Sequence, residues 1–288
     1  MKLRLILLST PILAILIYVL LTQREQDLPT NYITVCSSAP QQFAGFTSDA
    51  SFVNIHQTPE ALQDYEYKGK MIKYNVLDGK QANAYFIKSA TESNDYLFVI
   101  HEWWGLNDHI KKESDRLYSE LGNINVIALD LYDGKVATTR ENAAKYMNAV
   151  TDKRAKLIIA GAKKLTNGKS RIFTIGWCFG GGWSLQTGIE LGKRAAGTIM
   201  FYGMPEKDVD RLKMLKCDLL GLFAAKEKWI APEVVAQFEK DLFTAKIEFS
   251  IKSYQAEHGF ANPSNPRFDK EATDDAYKKV MAFIQVRR

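Results

Sequence analysis

The chain has 288 residues, with 46% apolar and 25% charged residues and a formal net charge of +5. That composition is ordinary for a globular protein, and the modest charge is spread without a Lys/Arg block interleaved with aromatics, which argues against nucleic-acid binding. The three cysteines, Cys36, Cys178 and Cys217, show no CxxC spacing, so neither a disulfide framework nor a structural zinc site is expected.

The N-terminus reads as targeting. Lys2 and Arg4 precede an apolar run from Leu5 to Leu21, and a polar stretch follows. The pattern predicts a signal anchor or signal peptide over residues 1–22. Bulky residues where small ones favour cleavage tilt the expectation to an anchor. The basic end then stays in the cytoplasm, and the following domain is expected on the extracytoplasmic, periplasmic side, tethered to the inner membrane; cleavage and secretion is the alternative. Cys36 lies well past the apolar run, which argues against lipidation. Residues 23–67 are polar and weakly patterned, and predict a linker and an irregular lead-in that packs on the domain.

From Met71 the pattern sharpens, and a domain is expected over residues 68–288. Met71–Val76 and Ala82–Ile87 alternate around Asp78-Gly79-Lys80, the signature of a β-hairpin. Tyr96–Ile100 is a wholly apolar strand. A helix is predicted from Asp108 to Leu121, a strand at Val126–Leu129, and a helix from Thr139 to Lys164 capped by Thr138 or Thr139. Arg171–Ile175 is the next strand, and a helix is expected over Gly182–Leu191. Strands at Ala196–Tyr202, Cys217–Phe223 and Ile247–Tyr254 alternate with a Pro232-led helix over Glu233–Phe243 and a final helix over Thr273–Val286. Alternating strands and helices predict an α/β fold with a mostly parallel central sheet and helices on both faces.

Between strand and helix stands Gly176-Trp177-Cys178-Phe179-Gly180-Gly181. Strand, Gly-x-nucleophile-x-Gly, helix is the nucleophile elbow of an α/β-hydrolase fold, here with cysteine in place of serine. In that fold the base and its acid follow the nucleophile. His258, in Glu257-His258-Gly259-Phe260, is the one histidine after Cys178. Glu227 is the one carboxylate in the loop Ala224–Ile230 between the two preceding elements; it would orient His258 and stabilise the imidazolium. The oxyanion donors are expected to be the N–H of Phe179 and, from the loop His101–Gly105, that of Trp103. Trp103 and Trp104 are expected to line a small-molecule pocket.

Together, His101–Asn107, Asp130–Lys135, Gly176–Gly181, Phe223–Pro232 and Tyr254–Phe260 resemble the dienelactone hydrolase family, in family order, over roughly residues 68–286. The resemblance implies a cofactor-free, metal-free hydrolase of a small ester or lactone, working through a thioester. It also implies that Glu102 matches a family glutamate that meets the resting cysteine. The chain departs from the family where Glu227 stands for Asp, and where Asn262 takes the place of one substrate-binding arginine, four residues past the histidine; the family's other substrate-binding arginine has no direct match, and Arg140 and Arg267 are the candidate substitutes for it. A catalytically degenerate, ligand-binding protein is the alternative reading. Oligomeric state is left open.

Overall fold

The computed structural model describes residues 38–288. The expected N-terminal apolar segment and Cys36 lie outside the described residues. Among the described residues, no helix is long and apolar enough to cross a membrane.

The sheet has eight strands: β1 (Lys70–Asn75), β2 (Gln81–Ile87), β3 (Asp95–Ile100), β4 (Asn125–Leu129), β5 (Arg171–Trp177), β6 (Ala195–Phe201), β7 (Leu219–Ala224) and β8 (Phe249–Tyr254). Their order is β1-β2-β4-β3-β5-β6-β7-β8. The β1–β2 hairpin and the β2–β4 pair are antiparallel, and all other pairs are parallel. Every residue of β4 and β7 is buried, the mark of strands covered on both faces, whereas the edge strand β8 alternates.

The helices within the domain are α3 (Asp108–Leu121), α4 (Arg140–Ala149), α5 (Asp152–Lys164), α6 (Phe179–Leu191), α7 (Val209–Leu212), α8 (Pro232–Ala245) and α9 (Lys270–Gln285). The single helix predicted over 139–164 is two. Val150 leaves the helical region and the Thr151 side chain accepts from Arg154 N, capping a fresh helix at Asp152. Helix α6 is buried almost all round, so it lies inside the molecule and not on its surface.

Residues 39–55 carry regular structure where the sequence pattern suggests none: α1 (Ala39–Ala44), a 3₁₀ turn (Gly45–Ser48) and α2 (Ala50–Ile55), which with Ser38 and His56 form an N-terminal arm over residues 38–56. Pro40 opens α1 and Asp49 caps α2 by accepting from Ser51 N. Their apolar face, Phe43 and Phe52, is fully buried. These helices are too short to persist alone and depend on that packing.

The topology decides where chemistry can sit. After β3 the chain crosses to β4 on one side of it and then returns to β5 on the other. The loops at the carboxyl ends of β3 and β5 therefore diverge, leaving the crevice at which open α/β sheets bind ligands. The His101–Gly105 loop and Cys178 both emerge there.

Candidate active site

Cys178 follows β5 and starts α6 with φ +57° and ψ −124°, a conformation that a cysteine adopts only when its surroundings impose it. The flanking glycines explain how. A Cβ on Gly176 would stand 2.1 Å from Gly180 O, and one on Gly180 would stand 2.3 Å from Ile100 O. The turn closes only without side chains, and closing it lifts the Cys178 side chain above the sheet. The Phe179 N–H points toward the sulfur.

Glu227 and His258 come from the loops after β7 and β8. His258 Nδ1 lies 2.8 Å from Glu227 Oε1, and both side chains are buried. Glu227 is thus no solvated surface residue despite standing between Lys226 and Lys228. A carboxylate oxygen accepts, so Nδ1 carries the proton and Nε2 is left free. That Nε2 is buried with no hydrogen-bond partner among the described residues. Burial works against the imidazolium, but the Glu227 carboxylate, and the Cys178 sulfur once it is a thiolate, outweigh it; the proton affinity of His258 is raised well above the ordinary histidine value, which makes its free Nε2 a strong acceptor for the thiol proton. Burial pushes the Cys178 thiol up, partly offset by His258.

Glu102 follows β3. Its Oε1 accepts from Asn262 Nδ2 at 2.5 Å, and Asn262 Oδ1 in turn accepts from Ser264 N and Oγ. Burial raises the Glu102 carboxyl to about 7, while His258 and Asn262 pull the other way. His101 fixes this loop: its Nε2 accepts from Leu131 N, so its Nδ1 donates to Glu102 O. Trp103 is fully buried, and its carbonyl accepts from the Tyr132 hydroxyl at 3.2 Å. Trp104, also buried, lines an enclosed crevice of about 10 Å³ beside His258 and Trp103. Glu102 and Asn262 form the wall between that crevice and a larger, more open cavity of about 480 Å³ lined by Ile110, Trp177 and Tyr277.

Sequence reasoning missed two residues. His56, the last residue of the N-terminal arm, stacks on Trp103 with ring centroids 4.4 Å apart and planes 16° apart. Its Nδ1 donates to Phe52 O at 2.8 Å, which leaves Nε2 to accept from the Cys178 thiol, 3.7 Å away. The resting thiol is therefore hydrogen-bonded to His56, with the His258 ring also beside it. Burial and the neighbouring charges of His258, Arg267 and Arg140 push His56 down to about 3, so it is neutral at physiological pH. The second is Tyr202, just past β6, whose ring packs edge-on to His258 at 5.0 Å with its hydroxyl buried and unpartnered among the described residues. No short motif marks either one.

The arm covers the site. Phe52 packs edge-on against Trp103 and Trp229, and Phe43 stacks at 6.1 Å on His258. Asp49 accepts from Trp229 Nε1 at 3.0 Å. Arg140 and Arg267, the candidates for a substrate-carboxylate clamp, hold this arm: Arg140 Nε donates to His56 O at 2.8 Å and Arg267 Nη1 to Ile55 O at 3.3 Å.

Residues 83–287 match the model of the dienelactone hydrolase family. The chain belongs to that family. Among its relatives is a protein of Saccharolobus solfataricus provisionally named a carboxymethylenebutenolidase, 27% identical over 253 residues that cover 72% of this chain and 95% of that protein. Carboxymethylenebutenolidase 1 of Cupriavidus pinatubonensis is 24% identical, covering 72% of this chain and 92% of its own. A solved structure from metagenomic libraries, the dienelactone hydrolase-like promiscuous phosphotriesterase P91, superimposes with a TM-score of 0.63 at 18% identity, over 76% of this chain and 99% of that one. That likeness carries the α/β-hydrolase fold. The family match begins inside β2, so the arm that brings His56 to Cys178 lies outside the stretch matched to the dienelactone hydrolase family.

Proposed function

We propose that this member of the dienelactone hydrolase family is a thiol-dependent hydrolase of small carboxylic esters or lactones. The observation that supports it most is the buried Glu227–His258 pair, which frees His258 Nε2 on the Cys178 side of the ring. In this reading substrate enters from the 480 Å³ cavity past the Glu102–Asn262 pair. The thiol leaves His56 and gives its proton to His258 Nε2 as sulfur attacks the carbonyl carbon. The N–H groups of Phe179 and Trp103 hold the developing oxyanion. His258 returns the proton to the leaving alkoxide, which departs and leaves a thioester on Cys178. His258 then takes a proton from water, whose oxygen attacks the thioester carbon. Collapse releases the carboxylic acid and re-forms the thiol.

A degenerate, ligand-binding role is not favoured, since the thiol, the imidazole and its carboxylate partner are all present and in reach. Arg140 and Arg267 are occupied by the arm, so the substrate in this reading need not carry a carboxylate. The test is turnover of a panel of neutral and carboxylated aryl esters and lactones by the wild-type chain and by Cys178→Ser. Turnover falling by about 1,000-fold or more in the variant supports the reading; equal turnover would remove Cys178 from the chemistry.

A further inference from the structure

We propose that Cys178, His258 and His56 form a binding site for one zinc-class divalent cation, and that occupation switches the thiol off. One ring nitrogen of each histidine and Cys178 Sγ all lie within 4.8 Å of one another, and all three residues are buried. A thiolate with two imidazoles and an open fourth position is a donor set that zinc takes readily.

Three independent features point to a ligand. First, each histidine has its Nδ1 tied down, His258 by Glu227 and His56 by the Phe52 carbonyl, both at 2.8 Å. A carboxylate or carbonyl on the far nitrogen is the outer support that metal-binding imidazoles use, since it fixes the tautomer and aims Nε2 inward. Second, His258 Nε2 is buried and unpartnered among the described residues, a cost that a bound cation would remove. Third, the spacing fits. Bond lengths of about 2.0 Å to nitrogen and 2.3 Å to sulfur at a tetrahedral centre put ligand atoms about 3.3–3.6 Å apart. The His56–Cys178 separation is 3.7 Å, and the remaining separations, none above 4.8 Å, need to close by about 1.5 Å at most. The adjoining 10 Å³ crevice, lined by His56 and His258, has room for about one water molecule to fill the fourth position.

Binding balances simply. The cation replaces the thiol proton, which leaves to solvent; a metal–sulfur bond forms, and both imidazoles bind as neutral rings through Nε2. Nothing is oxidised or reduced. Cys178 and His258 cannot then serve as nucleophile and base. The third ligand comes from the N-terminal arm, so the cation also ties that arm to the site. The loss of activity rests on the proposed thiol chemistry, whereas the binding itself does not.

The test is a titration of the reduced, chelator-treated full chain with cobalt(II), followed by displacement with zinc. One cobalt per chain is expected, with a thiolate-to-cobalt charge-transfer band that Cys178→Ser abolishes and with affinity lowered at least about ten-fold in His56→Gln. X-ray absorption of the zinc-loaded wild type is expected to show one sulfur and two imidazole neighbours, a readout that does not depend on either variant folding. Absence of the band in folded, reduced protein, or a first shell without two imidazoles, would overturn the proposal. Ester turnover is followed in parallel: loss at one zinc per chain, reversed by chelator, is expected. Cobalt binding by a chain that never turned over any ester would support the metal site and count against the hydrolase reading alone.

Discussion

The imidazole of His56 lies flat against the indole of Trp103 and accepts the hydrogen bond of the Cys178 thiol at 3.7 Å. A residue 122 positions upstream of the cysteine thereby sets its resting state. The arrangement has a cost in acid. An unfolded histidine takes its proton near 6.5, the buried one only near 3. Between those values the unfolded state holds more protons, so stability is full above about pH 6.5 and is lost as pH falls toward 3, by up to about 5 kcal/mol from this group. Denaturant unfolding across that range is expected to show the loss, and His56→Phe is expected to flatten it.

Glu102 has the opposite sign. Its buried carboxyl takes a proton up to about pH 7, against 4.5 for the ordinary group. The folded state holds the extra proton between these values, so this residue's contribution falls as pH rises from 4.5 to 7, by at most about 3 kcal/mol. Glu102→Gln is expected to be more stable than wild type at pH 8 and equal to it near pH 4. If turnover depends on the charge of Glu102, the variant also loses a step near pH 7 in its pH–rate profile.

Glu227→Gln keeps the size of the side chain but removes a carboxylate that holds the His258 tautomer. Turnover is expected to fall by about 100-fold or more with little change in KM, and Glu227→Asp to recover part of it. An unchanged kcat in Glu227→Gln would assign the orienting role elsewhere.

Arg140 and Arg267 each hold a carbonyl at the end of the arm. Such bonds from charged donors contribute about 1.5–3 kcal/mol each. The double variant Arg140→Ala/Arg267→Ala is expected to keep its fold and to alkylate at Cys178 about ten-fold faster or more, because the arm opens more often. Phe52→Ala, which empties the packing between Trp103 and Trp229, is expected to do the same and to cost about 3 kcal/mol of stability.

We also propose that residues 1–22 direct export, from the basic residues Lys2 and Arg4 followed by the apolar run to Leu21. A periplasm-dependent reporter fused after residue 30 is expected to be active; a reporter held in the cytoplasm would contradict this.

The legible part of this molecule is local in sequence. The elbow could be read because the collisions at Gly176 and Gly180 are built into six consecutive residues. The hairpin could be read from Asp78-Gly79 and its flanking alternation, and the meeting of Glu227 with His258 from chain order in a known topology. The break at Val150–Thr151 was hidden because both halves of the 139–164 stretch carry helical periodicity, and only the Thr151 cap marks the joint. His56 was hidden for a deeper reason. The order nucleophile, acid, histidine has no place for a histidine before the cysteine, and α1 and α2 are too short to show a period. Their position is fixed by Phe43, Phe52 and the two arginines, contacts that exist only after the sheet has formed. The arm's hold on Arg140 and Arg267 was equally invisible, so the sequence alone offers these two as substrate ligands.

The most direct test of the thiol-hydrolase account is mass spectrometry of the chain from about residue 30 onward, quenched during turnover of p-nitrophenyl acetate at neutral pH. The account predicts nitrophenol release with a transient acetyl group on Cys178. Cys217 serves as an internal control, its thiol pushed up to about 11 by burial and so poorly reactive. Nitrophenol release from folded protein with Cys178 never acylated, or with the acyl group on another residue, would contradict it.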